Sequence, residues 1–190
     1  MGVLRAVVRA GRIVVAALLL TYGLLIARPA WAAPTTSQVE AVFLFNFSQF
    51  VDWPPQAFPE PDSPIVIGVL GSDPFDGTLD DVVRGEMVKG RPLVVRRYQH
   101  VEQLTDCHIL FISRSERPHL EPIVQMLKGR SILTVSDLDE FANEGGIIGF
   151  VLMENKIRLR VNLDAAKEAG LTLSSKLLRP AQIVGGGSGP

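Results

Sequence analysis

The amino-acid sequence predicts an α/β fold, a three-layer sandwich: a mixed, mostly parallel sheet of about six strands, helices on both faces, and a C-terminal antiparallel hairpin. Three observations lead there. A short apolar run, a polar turn and a helical stripe follow one another three times, from Ile65, Ile109 and Ile132, and that order builds a parallel sheet. The runs Ile65 to Leu70 and Ile109 to Ile112 are apolar throughout except for Gly68, as strands buried on both faces are. Ile157, Leu159, Val161 and Leu163 alternate with Lys156, Arg158, Arg160 and Asn162, the period of a strand with one wet face.

The chain has 190 residues, with 19 basic and 20 acidic side chains. Arg5, Arg9, Arg12 and Arg28 all precede residue 34, which leaves 15 basic against 20 acidic for the remainder. That acidic balance excludes a nucleic-acid binder. The three early arginines, the apolar run Ile13 to Ile26 and Ala30-Trp31-Ala32 read as a cleaved export signal over 1–33, with a retained anchor as the alternative because Arg28 lies in the cleavage region. Residues 34–184 then form one domain, and 185–190 a flexible tail. The only cysteine, Cys107, excludes an internal disulfide, so the core must hold the fold unaided.

Ser37 and Glu40 have the spacing of a capping box and open a helix. Val39, Val42, Phe43, Phe47 and Phe50 form its apolar stripe, with Asn46 among them, and Trp53-Pro54-Pro55 stops it. A Pro-rich connection leads to the first strand, Ile65 to Leu70. Asp73 caps the next helix, with Pro74 in its first turn. Leu93 to Tyr98 is an edge strand, and Val101 and Leu104 mark a helical turn. Asp106 to Ser113 contains the central buried strand. Leu120, Ile123, Val124 and Leu127 line the helix that follows, which ends at Gly129. The strand Ile132 to Val135 leads to a short helix capped by Ser136 and Asp137 and running through Phe141. Ile147 to Met153 and Ile157 to Leu163 make the hairpin. Brief helices follow over Asp164 to Ala169 and from Ser174.

The turn residues Asp73, Ser113, Ser115, Glu116, Ser136 and Asp137 collect at the carboxyl edge of the parallel strands, where open α/β sheets bind ligands or partners. Capping accounts for most of them. Arg158 and Arg160 give the hairpin a basic face, a candidate partner surface. Cys107 precedes a strand buried on both faces and reads as a structural thiol. His100, His108 and His119 lack zinc-ligand spacing, Gly71 lies in no phosphate-binding glycine motif, and no G-x-S-x-G elbow occurs. Ser174 and Lys176 miss the S-x-x-K spacing. No catalytic residue, metal or cofactor is assigned.

Six segments in order resemble the YfiR-like family: A-V-F-L-F-N-F-S-Q-F-V-D-W-P at 41–54, I-G-V-L-G-S-D-P-F at 67–75, G-R-P-L-V-V-R-R at 90–97, C-H-I-L-F-I-S at 107–113, I-L-T-V-S-D at 132–137 and N-L-D-A-A-K-E-A-G-L-T-L-S-S-K-L-L at 162–178. The resemblance implies a small periplasmic α/β protein without enzymatic activity. It implies an inner-membrane sensor protein as partner, a diguanylate cyclase or sensor kinase, with repression of cyclic-di-GMP synthesis relieved by an outer-membrane lipoprotein, and it implies dimer formation. The paired cysteines that tie the repressor's fold to redox state do not carry over: Cys107 matches one such position and the chain has no second cysteine. Two other readings stay open from the residues alone. One is a periplasmic binder of small solutes at Trp53 or the carboxyl-edge turns; the other is an exported hydrolase using Cys107 or Ser174.

Overall fold

The structure, a computed structural model, describes residues 34–154 and 156–185. The export signal read at 1–33 and the tail beyond Gly185 lie outside the described residues. The chain runs through α1 (Thr36–Phe50), β1 (Val51–Asp52), β2 (Ile65–Leu70), α2 (Thr78–Val83), β3 (Met87–Val88) and β4 (Arg91–Tyr98). It continues through β5 (Ile109–Ile112), α3 (Leu120–Leu127), β6 (Leu133–Ser136), β7 (Ile148–Met153) and β8 (Lys156–Asn162). It ends with α4 (Leu163–Glu168), β9 (Thr172–Leu173), α5 (Ser175–Leu178) and β10 (Gln182–Val184).

Among the described residues, eight strands form the main sheet, in the order β10-β8-β7-β6-β5-β2-β4-β3. The ladders β4-β2, β2-β5, β5-β6 and β6-β7 are parallel, and β7 turns back antiparallel onto β8. The inner strands are the six read from the sequence. β3 and β10 are additional short edges, and β1 pairs with β9 in a separate two-stranded ribbon.

Alternation in the central strands assigns each side chain to a layer. Ile67, Val69, Ile109, Phe111, Leu133 and Val135 pack with Leu44 and Phe47 of α1 and Leu79 and Val83 of α2. Leu70, Leu110 and Ile112 point the other way, against Leu120, Ile123 and Leu127 of α3. Helices on both faces of one mostly parallel sheet make the three-layer sandwich that the repeat pattern predicts.

Three local expectations are corrected. The capping box of α1 is Thr35 with Gln38, not Ser37 with Glu40. Starting two residues earlier, the helix turns Glu40, Ala41, Leu44, Phe47 and Ser48 inward and leaves Val42 exposed. Asp73 does not cap a helix. Its Oδ1 accepts the N–H of Phe75 at 2.8 Å in a local turn, and α2 starts at Thr78 after Gly77, whose φ is +81°. The segment from Asp137 to Phe141 forms successive turns instead of a helix, because Ser136 Oγ takes only the N–H of Leu138 before the chain bends back toward β7.

Candidate functional site

The carboxyl edge is built by the turns after β2, β5 and β6, with Glu40 of α1 near enough to Arg114 and Asp137 for their charges to act on it. Ser136 is fully buried: its Oγ donates to the Ile112 carbonyl at 2.7 Å and accepts from Leu138 N–H at 3.1 Å. Ser113 Oγ accepts from Ser115 N–H at 3.4 Å. Ser115 Oγ in turn accepts the N–H of Ser72 at 3.0 Å and donates to Glu116 Oε1 at 3.2 Å. A side chain at Gly71 would place its Cβ 2.3 Å from Ser115 Oγ and 2.5 Å from Glu116 Oε1, and φ there is +84°. The β2 and β5 turns are therefore in direct contact, and glycine is what allows it.

Arg114 and Asp137 close the other side. Arg114 Nε donates to Asp137 Oδ2 at 2.6 Å and Arg114 Nη2 donates to the Asp137 carbonyl at 2.7 Å. Asp137 Oδ1 is buried and has no hydrogen-bond partner among the described residues. Above this pair lies Glu40, only 4% exposed. Burial pushes its carboxyl up to about 7, the negative charge of Asp137 adds to the rise, and Arg114 opposes it. Glu40 therefore holds its proton to near neutrality beside the Arg114–Asp137 contact.

Asp73 stands apart from that pair. Its Oδ2 accepts from Arg97 Nε at 2.8 Å, and Arg97 also clamps Asp80. The structure thus brings Ser113, Ser115 and Glu116 together, joins Asp137 to Arg114 and Glu40, and sends Asp73 to a cluster on α2. Glu40 and Arg114 are the members sequence reasoning missed. The available signal was the i, i+4, i+7 spacing of Glu40, Leu44 and Phe47, which puts a carboxylate on the buried stripe.

The basic face of the hairpin is divided. Arg160 is half-buried and paired with Glu140 at 2.7 Å, whose carboxyl that bond holds below its ordinary range, whereas Arg158 is exposed. At the amino edge, His108 is a hub. Its Nδ1 accepts the N–H of Val66 at 3.1 Å, so Nε2 carries the proton and donates to the Ala57 carbonyl at 3.2 Å. Phe58 stacks on the ring at 4.4 Å, Arg91 lies over Phe58 at 3.8 Å, and Trp53 Nε1 donates to the His108 carbonyl at 3.2 Å. Burial lowers the imidazole's affinity for a second proton. Trp53 is thus a plug that ties the Pro-rich connection to the sheet.

Cys107 lines a cavity of about 360 Å³ with Gln56 and Arg130, yet the residue is only 7% exposed. Its thiol donates to the Ile109 carbonyl at 3.2 Å, and burial pushes it up to about 12. Ser174 Oγ accepts the backbone N–H of Lys176 at 3.3 Å. Neither has a base in hydrogen-bond contact among the described residues, so neither is built as a nucleophile. Cys107→Ser is expected to lose about 1–2 kcal/mol of stability, because a hydroxyl replaces a soft thiol beside Leu110 and Tyr98. Denaturant unfolding reads that loss as a lowered midpoint.

Fold and site define a class of domain: an α/β sandwich whose carboxyl-edge polar groups are bound mainly to one another and to neighbouring backbone. The chain belongs to the YfiR/HmsC-like family, whose model matches residues 37–182. Members of that family are periplasmic regulatory domains. Comparison with curated proteins gives no match. Among the described residues no helix is long and apolar enough to cross a membrane.

Proposed function

We propose that this protein is exported to the periplasm, binds an inner-membrane diguanylate cyclase through that enzyme's periplasmic sensor domain, and represses it. The observation that carries this reading is the family match across nearly the whole described domain. The site geometry supports it. Ser113, Ser115 and Ser136 spend their hydroxyls on backbone and neighbouring groups, and the Asp137 charge meets Arg114, which suits a rigid binding module better than a reaction centre. The mature acidic balance and the export signal agree with a periplasmic address.

Affinity purification of the tagged full chain from solubilised membranes tests this. An inner-membrane protein with a periplasmic sensor segment and a cyclase domain should be recovered. Recovery of no membrane signalling protein would sink the reading.

A further inference from the structure

The hairpin of β7 and β8 outruns the sheet that carries it. β6 pairs with β7 only at Val135↔Ile148 and Ser136↔Gly149, and β10 pairs with β8 only from Arg160 to Asn162. From Phe150 to Met153 and from Lys156 to Leu159, each strand has the other as its sole ladder neighbour among the described residues. Among the described residues, alternate backbone N–H and C=O groups on the outer edge of β7 are therefore without a strand partner, the condition under which a sheet accepts an added strand.

Edges are ordinarily blunted with charge, proline or cover. This one instead presents Leu152, 64% exposed, and Met153, 50% exposed. The two point to opposite faces. On one, Leu152 lies across from Ile157 and extends the ladder of Phe150 and Leu159, against which Phe43 of α1 packs with ring centroids 5.7 Å apart. On the other, Met153 lies across from Lys156 and Val151 across from Arg158. Both cations are exposed, and neither has an ion pair among the described residues. Arg160, next along that face, already holds Glu140.

We propose that this overhang is the docking surface for an extended segment of the membrane partner. The segment adds to the free edge of β7, its apolar side chains cover Leu152, and carboxylates on its other face meet Lys156 and Arg158. The inference rests on the regulatory reading above and names the surface it uses. Charge selects this occupant over a second copy of the chain. A twofold contact sets a patch against itself, and this hairpin carries Lys156 and Arg158 against the single exposed carboxylate of Glu154, so two copies would meet with positive charge in excess.

The test places the photo-crosslinker p-benzoylphenylalanine at Leu152, at Met153 and, on the opposite layer, at exposed Met126 of α3, in the full chain in its native host. Adducts are identified by mass spectrometry. Adducts to the membrane signalling protein from positions 152 and 153, in an extended acidic stretch, are expected, with none from position 126. Leu152→Asp and the pair Lys156→Glu with Arg158→Glu should each cut sensor recovery about tenfold or more, with unchanged melting temperatures. The two variants probe the apolar and the electrostatic halves separately, so a folding loss in one leaves the other to decide. Adducts to a second copy, or sensor capture that proceeds from position 126 or survives both variants, would overturn the surface while leaving the regulatory reading standing. Absence of the sensor from every preparation would overturn both.

Discussion

Phe47→Ala should lower the unfolding free energy by about 3–5 kcal/mol, the ordinary cost of emptying a large aromatic site in a well-packed core. Phe47 is fully buried between α1 and the sheet, with its ring stacked on Phe150 at 6.0 Å and tilted against Phe43 at the same centroid distance. It joins the helix to the root of the hairpin, so the loss falls on the contact that holds both at the carboxyl edge. Equilibrium denaturation in urea reads the change as a shifted midpoint with an unchanged slope. A loss below about 1 kcal/mol would mean that α1 is not packed as described.

Glu40→Gln should gain about 2–3 kcal/mol of stability relative to the wild type between pH 5 and pH 8. The folded protein holds the Glu40 proton up to about 7, whereas the unfolded chain releases it near 4.5. The contribution of this raised group is complete below the unfolded value and is lost as pH rises through the folded one. Glutamine keeps the shape and cannot ionise, so that loss disappears. His108 has the opposite sign. Its folded affinity lies below the ordinary value of 6.5, so its contribution is complete above that pH and falls away on acidification. Wild-type protein should therefore be most stable in a mildly acidic range, and the variant should reach a plateau instead. Parallel stability curves from pH 5 to 8 would contradict a proton held on buried Glu40.

The parallel core was legible because two-sided burial removes alternation, and Ile65 to Leu70 and Ile109 to Ile112 carry that mark without ambiguity. The hairpin was legible for the opposite reason: β8 alternates. β1, β3, β9 and β10 are two or three residues long, too short for any period, and their pairing follows from where the larger elements place them. Glu40 was misread because a carboxylate three residues after a serine fits a cap. Thr35 and Gln38 offered the same chemistry two residues earlier, and burial of the Leu44 and Phe47 stripe decided between them. The turn serines lie in the turns that end the parallel strands, but sequence spacing does not tell a hydroxyl aimed at a ligand from one bonded to a neighbouring carbonyl, as Ser136 is. The overhang of β7 and β8 depends on how far β6 and β10 extend, a property of three-dimensional register.

On the proposed regulatory reading, the protein acts by occupying its partner and not by turning over a substrate. Its effect on the cell must therefore appear in the partner's product. The most direct measurement is cyclic-di-GMP in the native host with and without this gene. Repression predicts a rise of about severalfold or more on deletion, reversed by the wild-type chain and by Cys107→Ser. An unchanged or lower level on deletion, with the protein confirmed as expressed in the parent strain, would contradict repression of a diguanylate cyclase.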